Sequence, residues 1–157
     1  MKRKTKAFVF DFDETLAHTN AVVLDGSEDK FAEFKDPLTI LKGTPLDLMI
    51  LAKEVYDEGH SVFVLTARND CVSDAIAEFL SYDGIEANAI HCVGTDAHMN
   101  IAKAKRRVLL SIIENHDVVY FFDDDEANIE LASELDCRAR KVERPKLTVH
   151  EAVDLYW

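Results

Sequence analysis

The sequence predicts a three-layer α/β domain, Rossmann-like, on a mostly parallel five-stranded sheet. Three observations predict it. Apolar, β-branched and aromatic runs alternate with helical patterns along nearly the whole chain, the order of a parallel sheet with right-handed crossovers. Two of the runs, "VFVLT" at 62–66 and "VVYFF" at 118–122, are almost continuously apolar, as strands covered on both faces are. The composition, 157 residues with 48% hydrophobic and 31% charged side chains, is that of one ordinary globular core. A single domain over residues 1–157 is therefore expected.

The elements follow in order. The lead-in "MKRKTK" is basic, and the apolar run after it meets Asp11 after four residues. That is too short for the core of a secretory signal, so a strand over 7–12 and a cytoplasmic protein are expected. Next comes a long irregular stretch, His18 to Gly43, read as a flap over 19–43; segments of this kind are often functional. Thr44 and Pro45 form an N-cap and first-turn pair, and a helix is expected from there to Gly59. Apolar positions Leu48, Leu51, Ala52 and Val55 give it one buried face. The second strand is 62–66, and the second helix runs from Asp70 to Tyr82. A third strand at 89–93 precedes a helix from Ile101 to Asn115. The fourth strand, 118–122, is followed by a helix from Glu126 to Leu135, and a weaker fifth strand lies at 137–142. "TVHE" at 148–151 is a capping-box pattern that opens a C-terminal helix within 145–157, with Tyr156 and Trp157 as packing anchors.

Composition excludes several classes. No run approaches 18 apolar residues, so no helical membrane span is expected. A net charge of −12 argues against a protein that clamps nucleic acid nonspecifically through its phosphates. Cys71, Cys92 and Cys137 are odd in number and far apart, which points to neither a disulfide framework nor a zinc site.

In a parallel sheet, ligands bind at the carboxyl ends of the strands. The first strand ends in Asp11, Asp13 and Thr15; the second in Thr66, Ala67 and Arg68; the fourth in Asp123, Asp124 and Asp125, with Asn128 beyond. Carboxylates gathered in this way repel unless a cation lies among them. Too few basic residues are near to neutralise all of them, and oxygen-only donors favour Mg²⁺, which commonly pairs with phosphate. The Thr66 hydroxyl and the amides after it suit phosphate oxygens, and an aspartate can act as the nucleophile through an aspartyl-phosphate.

"FVFDFDETL", "VFVLTAR" and "VYFFDDDEAN" resemble three of the four motifs of the haloacid dehalogenase (HAD) phosphohydrolase superfamily, in order and on the expected strands. The resemblance runs from residue 7 to about 143 and implies a role for each motif residue. Asp11 is the nucleophile and a Mg²⁺ ligand. Asp13 is the general acid/base, with its backbone carbonyl on the metal. Phe12 turns into the core, and Thr15 ties down the turn. Thr66 binds the transferring phosphoryl group. Asp124 is a direct metal ligand, supported by Asp123 and Asn128. The fourth motif is a basic residue before the fourth strand. Lys105 has the family-like relation to Val108 and Leu109, with Lys103 as second candidate. Arg68 is read either as a phosphate contact or as a member of a surface ion pair. His18 is the one histidine near the nucleophile, and Glu14 is expected to be a solvent-facing turn residue.

From Asp13 to Pro45 there is room for a flap but not for a folded cap, so a capless member is expected. Open sites of this kind suit large substrates. "DFDETLAHT" is similar to the signature of capless DxDxT protein phosphatases, and the compact order resembles the phosphatase half of polynucleotide kinase/phosphatases. A phosphorylated partner is implied: a nucleotide, a 3′-phosphorylated nucleic-acid end, or a phosphoprotein. A non-catalytic module that binds a phospho-ligand is the alternative. A receiver-type signalling domain would need a lone aspartate after a middle strand, and "SVFVLTAR" has none.

Overall fold

The computed structural model describes residues 4–95 and 100–143. Among the described residues seven strands and five α-helices follow one another: β1 Lys6–Phe10, β2 Ala17–His18, α1 Pro37–Leu41, β3 Thr44–Pro45, α2 Leu48–Asp57, β4 Ser61–Thr66, α3 Ser73–Ser81, β5 Ala89–Cys92, α4 Ile101–Asn115, β6 Asp117–Asp123, α5 Glu126–Glu134 and β7 Ala139–Lys141. Short 3-10 turns lie at Ala32–Lys35, Asp70–Val72 and Val93–Thr95. The C-terminal helix expected within 145–157, His98 and His150 lie outside the described residues.

Five strands form one sheet in the order β5-β4-β1-β6-β7, and every pairing in it is parallel. The chain builds outward from β1 through β4 to β5, then returns to the other side of β1 with β6. The reversal makes a crevice above the carboxyl end of β1, flanked by β4 and β6.

Alternation within the strands fills both faces. Val9 packs with Phe63, Leu65, Leu109, Ile112, Phe121 and Leu131 under α4 and α5. Phe10 packs with Val62, Val64, Met49, Ala52, Ile76, Phe79 and Phe122 under α2 and α3. Phe10 and Phe122 stack across neighbouring strands with ring centres 5.1 Å apart. All six residues of β4 are buried, as its continuous apolar run requires.

The helix expected from Asp70 opens as a 3-10 turn and becomes α-helical at Ser73, and the strand expected at 137–142 is confined to Ala139–Lys141. Two larger differences concern the segment 19–47. Thr44 and Pro45 do not open a helix. They pair antiparallel with Ala17 and His18 as β3, and α2 starts at Leu48. The cap-and-proline pattern at 44–45 is local, and long-range pairing overrides it. The stretch 19–43 is also less irregular than expected, since it holds a 3-10 turn and α1. The start signal there is Asp36–Pro37: the Asp36 carboxylate accepts from Leu38 N at 3.0 Å, with Pro37 in the first turn. Fully buried Ile40 fastens α1 to the core. Among the described residues, nothing larger than these short turns lies between β2 and β3.

Candidate active site

The DxD segment is a tight coil at the end of β1. Asp11 N donates to Phe122 O, which extends the β1–β6 ladder by one residue beyond the strand. The amides of Thr15, Leu16 and Ala17 then converge on the carbonyl of Phe12. Phe12 is fully buried and meets Phe79 edge-on at 5.4 Å, the inward turn expected for it. Glu14 adopts a left-handed φ of 62°. Its carboxylate is not an idle turn group: it accepts from His18 Nδ1 at 2.9 Å and from Thr19 N at 3.3 Å. Glu14 and His18 therefore brace the exit of the turn.

Asp11, Asp123 and Asp124 offer oxygens that all lie within 4.8 Å of one another. Lys105 comes up from α4 beneath them. Its Nζ donates to Asp11 Oδ1 at 3.1 Å and to Asp123 Oδ2 at 2.9 Å, and the side chain is 2% exposed. Lys103 does not reach this point; it is exposed in the first turn, where its N–H meets the N-cap Asn100. Asp123 is fully buried. It also accepts from Asn128 Nδ2 at 3.0 Å and, through Oδ1, from Asp125 N at 2.9 Å. Asp125 in turn caps α5 by accepting from Ala127 N. Thr15 Oγ1 donates to Asp11 Oδ2 at 3.3 Å.

The electrostatics follow from burial. Burial pushes the Asp11 carboxyl well above its usual range; Asp123 and Asp124 push the same way, and Lys105 opposes them. Asp123 is raised by burial as well, again against Lys105. Burial alone would lower Lys105, but the carboxylates of Asp11 and Asp123 outweigh it and hold the ammonium above its ordinary value. Three carboxyl groups thus meet in one place, with the Lys105 ammonium bonded to two of them, so negative charge gathers there. A divalent cation would offset that charge, and an all-oxygen donor set of this kind fits Mg²⁺.

Asp13 is held by different partners. Arg68 is 1% exposed and grips it with Nε to Oδ2 at 2.9 Å and Nη2 to Oδ1 at 2.7 Å. The Thr19 hydroxyl donates to the same Oδ1. The Arg68 side chain is therefore no surface ion pair, and its donors are engaged by the protein itself. Thr66 is buried at the end of β4, and its Oγ1 accepts from Arg68 N at 3.2 Å. A close approach shapes this loop. Gly94 N donates to Arg68 O at 3.0 Å, and a Cβ on Gly94 would lie 2.0 Å from Ala67 O.

Asp11, Asp13, Arg68, Ala67, Lys105, Asp123, Asp124 and Asn128 line one cavity of about 280 Å³, together with Thr19, Ala21, Phe34 and Ile101. The last four were missed in the sequence. Thr19, Ala21 and Phe34 lie in the flap, where spacing carries no signal. Ile101 opens α4 and reads there as one more apolar helix residue.

No family model and no curated protein matches the sequence. Solved structures do. A chain of the Pnkp1/Rnl/Hen1 RNA repair complex superposes with a TM-score of 0.71 at 16% identity, over 94% of this chain and 46% of that one. This chain thus spans about half the length of that relative. A HAD-superfamily hydrolase of subfamily IA from Geobacter sulfurreducens matches with a TM-score of 0.62 at 11% identity, over 96% and 99% of the two chains. A HAD family enzyme from Bacteroides thetaiotaomicron, in complex with magnesium and inorganic phosphate, matches with a TM-score of 0.60 at 13% identity, over 98% and 100%. The protein has the fold of the haloacid dehalogenase superfamily hydrolases, as its three motifs imply.

Proposed function

We propose that the protein is a Mg²⁺-dependent phosphomonoester hydrolase that works through a phosphorylated Asp11. The observation that supports this most is the gathering of Asp11, Asp13, Lys105 and Asp124 on one cavity beside Thr66, from four separate segments of the chain. The cation would be held by Asp11 and Asp124, with the Asp13 carbonyl implied by the family resemblance. Asp123 acts as support, because Lys105, Asn128 and the Asp125 amide already occupy its oxygens. When bound, Mg²⁺ supplies positive charge to Asp11 and to the phosphoryl oxygens.

In the first step the Asp11 carboxylate forms a bond to phosphorus and the bond from phosphorus to the leaving oxygen breaks. The proton on Asp13 moves to that oxygen. In the second step a water oxygen bonds to phosphorus, its proton returns to Asp13, and the Asp11–phosphorus bond breaks to release phosphate. Lys105 offsets charge on Asp11 throughout, and the Thr66 hydroxyl, held by the Arg68 amide, and the amide of Ala67 are the donors for the phosphoryl oxygens. Arg68 holds Asp13 rather than substrate.

The narrower reading is a nucleotide or a 3′-phosphorylated nucleic-acid end. The likeness to a chain of an RNA repair complex and the absence of a folded cap among the described residues support it. Purified protein with Mg²⁺ is expected to hydrolyse p-nitrophenyl phosphate, and EDTA is expected to stop it. Asp11→Asn should lower turnover on the order of 10³-fold or more with the fold intact by circular dichroism. Undiminished activity in that variant would sink the mechanism. A panel of 3′-phosphorylated oligonucleotides, mononucleotides and phosphopeptides then separates the nucleic-acid reading from a protein phosphatase.

A further inference from the structure

We infer that the flap sets the position of the proton-transfer group, and that Thr39 is a positioning residue acting on Asp13 through Arg68. The inference rests on the phosphatase reading of the site.

The Arg68 side chain joins two parts of the molecule. One edge of its guanidinium meets both oxygens of Asp13, at 2.9 and 2.7 Å. The other nitrogen, Nη1, donates into the flap: to Thr39 Oγ1 at 2.8 Å, Phe34 O at 3.1 Å and Glu33 O at 3.3 Å. Phe34 also lays its ring against the guanidinium, with its centre 5.2 Å from Cζ. A guanidinium is planar and presents its donors in a fixed fork. Acceptors on both edges therefore fix its tilt, and its tilt fixes the plane of the Asp13 carboxylate. Burying a guanidinium is costly unless its donors are satisfied, so the flap acceptors are required as well as present.

Thr39 makes the shortest of the Arg68 contacts to the flap, ahead of Phe34 O, Glu33 O and Thr19 Oγ1, and its position is itself determined. Its hydroxyl has a single proton, which can go to Asp36 O at 2.7 Å or Glu33 O at 3.0 Å, leaving a lone pair for Arg68. Ile40 next to it is fully buried. The consequence for chemistry is specific. A carboxylate has about four lone-pair sites. On Asp13, Arg68 Nη2 and Thr19 Oγ1 take two on Oδ1, and Arg68 Nε takes one on Oδ2. The free site on Oδ2 is the one that can carry the proton, and Arg68 determines where it points.

A general acid matters most when the leaving oxygen is basic and little when it is acidic. The test is therefore kcat/KM for a series of aryl phosphates from p-nitrophenyl to p-methoxyphenyl, in Mg²⁺. Thr39→Val keeps the shape and removes the hydroxyl; Thr39→Ser restores it; Arg68→Lys removes the fork. Thr39→Val is expected to lose less than about twofold on p-nitrophenyl phosphate and about tenfold on the most basic leaving group. Its slope against leaving-group pKa steepens accordingly. Arg68→Lys should steepen the slope further, and Thr39→Ser should return it to that of the wild type. An unchanged slope in Thr39→Val and Arg68→Lys, or a uniform loss across the series, overturns the inference while leaving the phosphatase intact. Wild-type protein inactive on the whole series overturns both. If Thr39→Val does not fold, the slope of Arg68→Lys decides.

Discussion

At the residue scale, the site is governed by buried charge that only works as a set. Lys105 is 2% exposed and is the ammonium bonded to both Asp11 and Asp123. Removing one member of such a set leaves its partners uncompensated, which typically costs about 3–5 kcal/mol. Lys105→Met is therefore expected to lower stability by about that amount in urea unfolding without metal. Mg²⁺ should restore part of the loss, because a cation again stands among the carboxylates. A metal-independent loss would mean that Lys105 is chiefly a packing residue. The sequence favours Lys105 over Lys103 only through its relation to Val108 and Leu109; in the structure Lys105 shares a helix face with the buried Leu109 and Ile112, which brings it to Asp11 and Asp123. The grip of Arg68 on Asp13 was not legible. The two residues are 55 positions apart, and nothing local to either announces the other. Glu14 misleads for a different reason: an exposed-looking acid in a turn becomes a brace only because that turn takes a left-handed φ.

At the element scale, most of the fold was legible and the short connections were not. The helix expected from Ile101 to Asn115 has those same ends, because its apolar face is long and Asn100 caps it. α1 is only five residues long, too short for periodicity to register, and β2 and β3 have two residues each. Their existence depends on pairing and on the Ile40 anchor. The turn after β5 has an equally tight constraint. Gly94 sits where a side chain would collide with the Ala67 carbonyl. Gly94→Ala is expected to cost about 1–3 kcal/mol as overpacking. It should also weaken phosphate binding, because Ala67 and Arg68 must shift. Thermal unfolding and the inhibition constant for inorganic phosphate measure the two effects. A fully active, fully stable variant would show that this turn yields freely.

At the scale of the whole molecule, the return of the chain to the far side of β1 makes the site. Asp11, Thr66 and Asp123 are far apart in sequence and meet because β4 and β6 both pair with β1. That much follows from the order of elements, and it is why the site was legible before its contacts were. A ligand that binds only where these strands meet stabilises the fold by mass action. Mg²⁺ at about a hundred times its dissociation constant would add about 2.7 kcal/mol, or about 5–10 °C in the unfolding midpoint. Asp124→Asn should abolish most of that shift in calorimetry; a shift that survives would place the cation elsewhere. The pairing of β2 with β3 has a consequence for how such a molecule can change over time. The flap begins after His18 and ends before Thr44, and that pairing staples its two ends together. At the far tip, Leu24 N meets Lys30 O across the exposed residues 25–29. Each doubling of a loop's length costs only about 0.6 kcal/mol of closure entropy. The tip is thus a socket into which a larger module can be spliced while the sheet and the Arg68 contacts stay as they are.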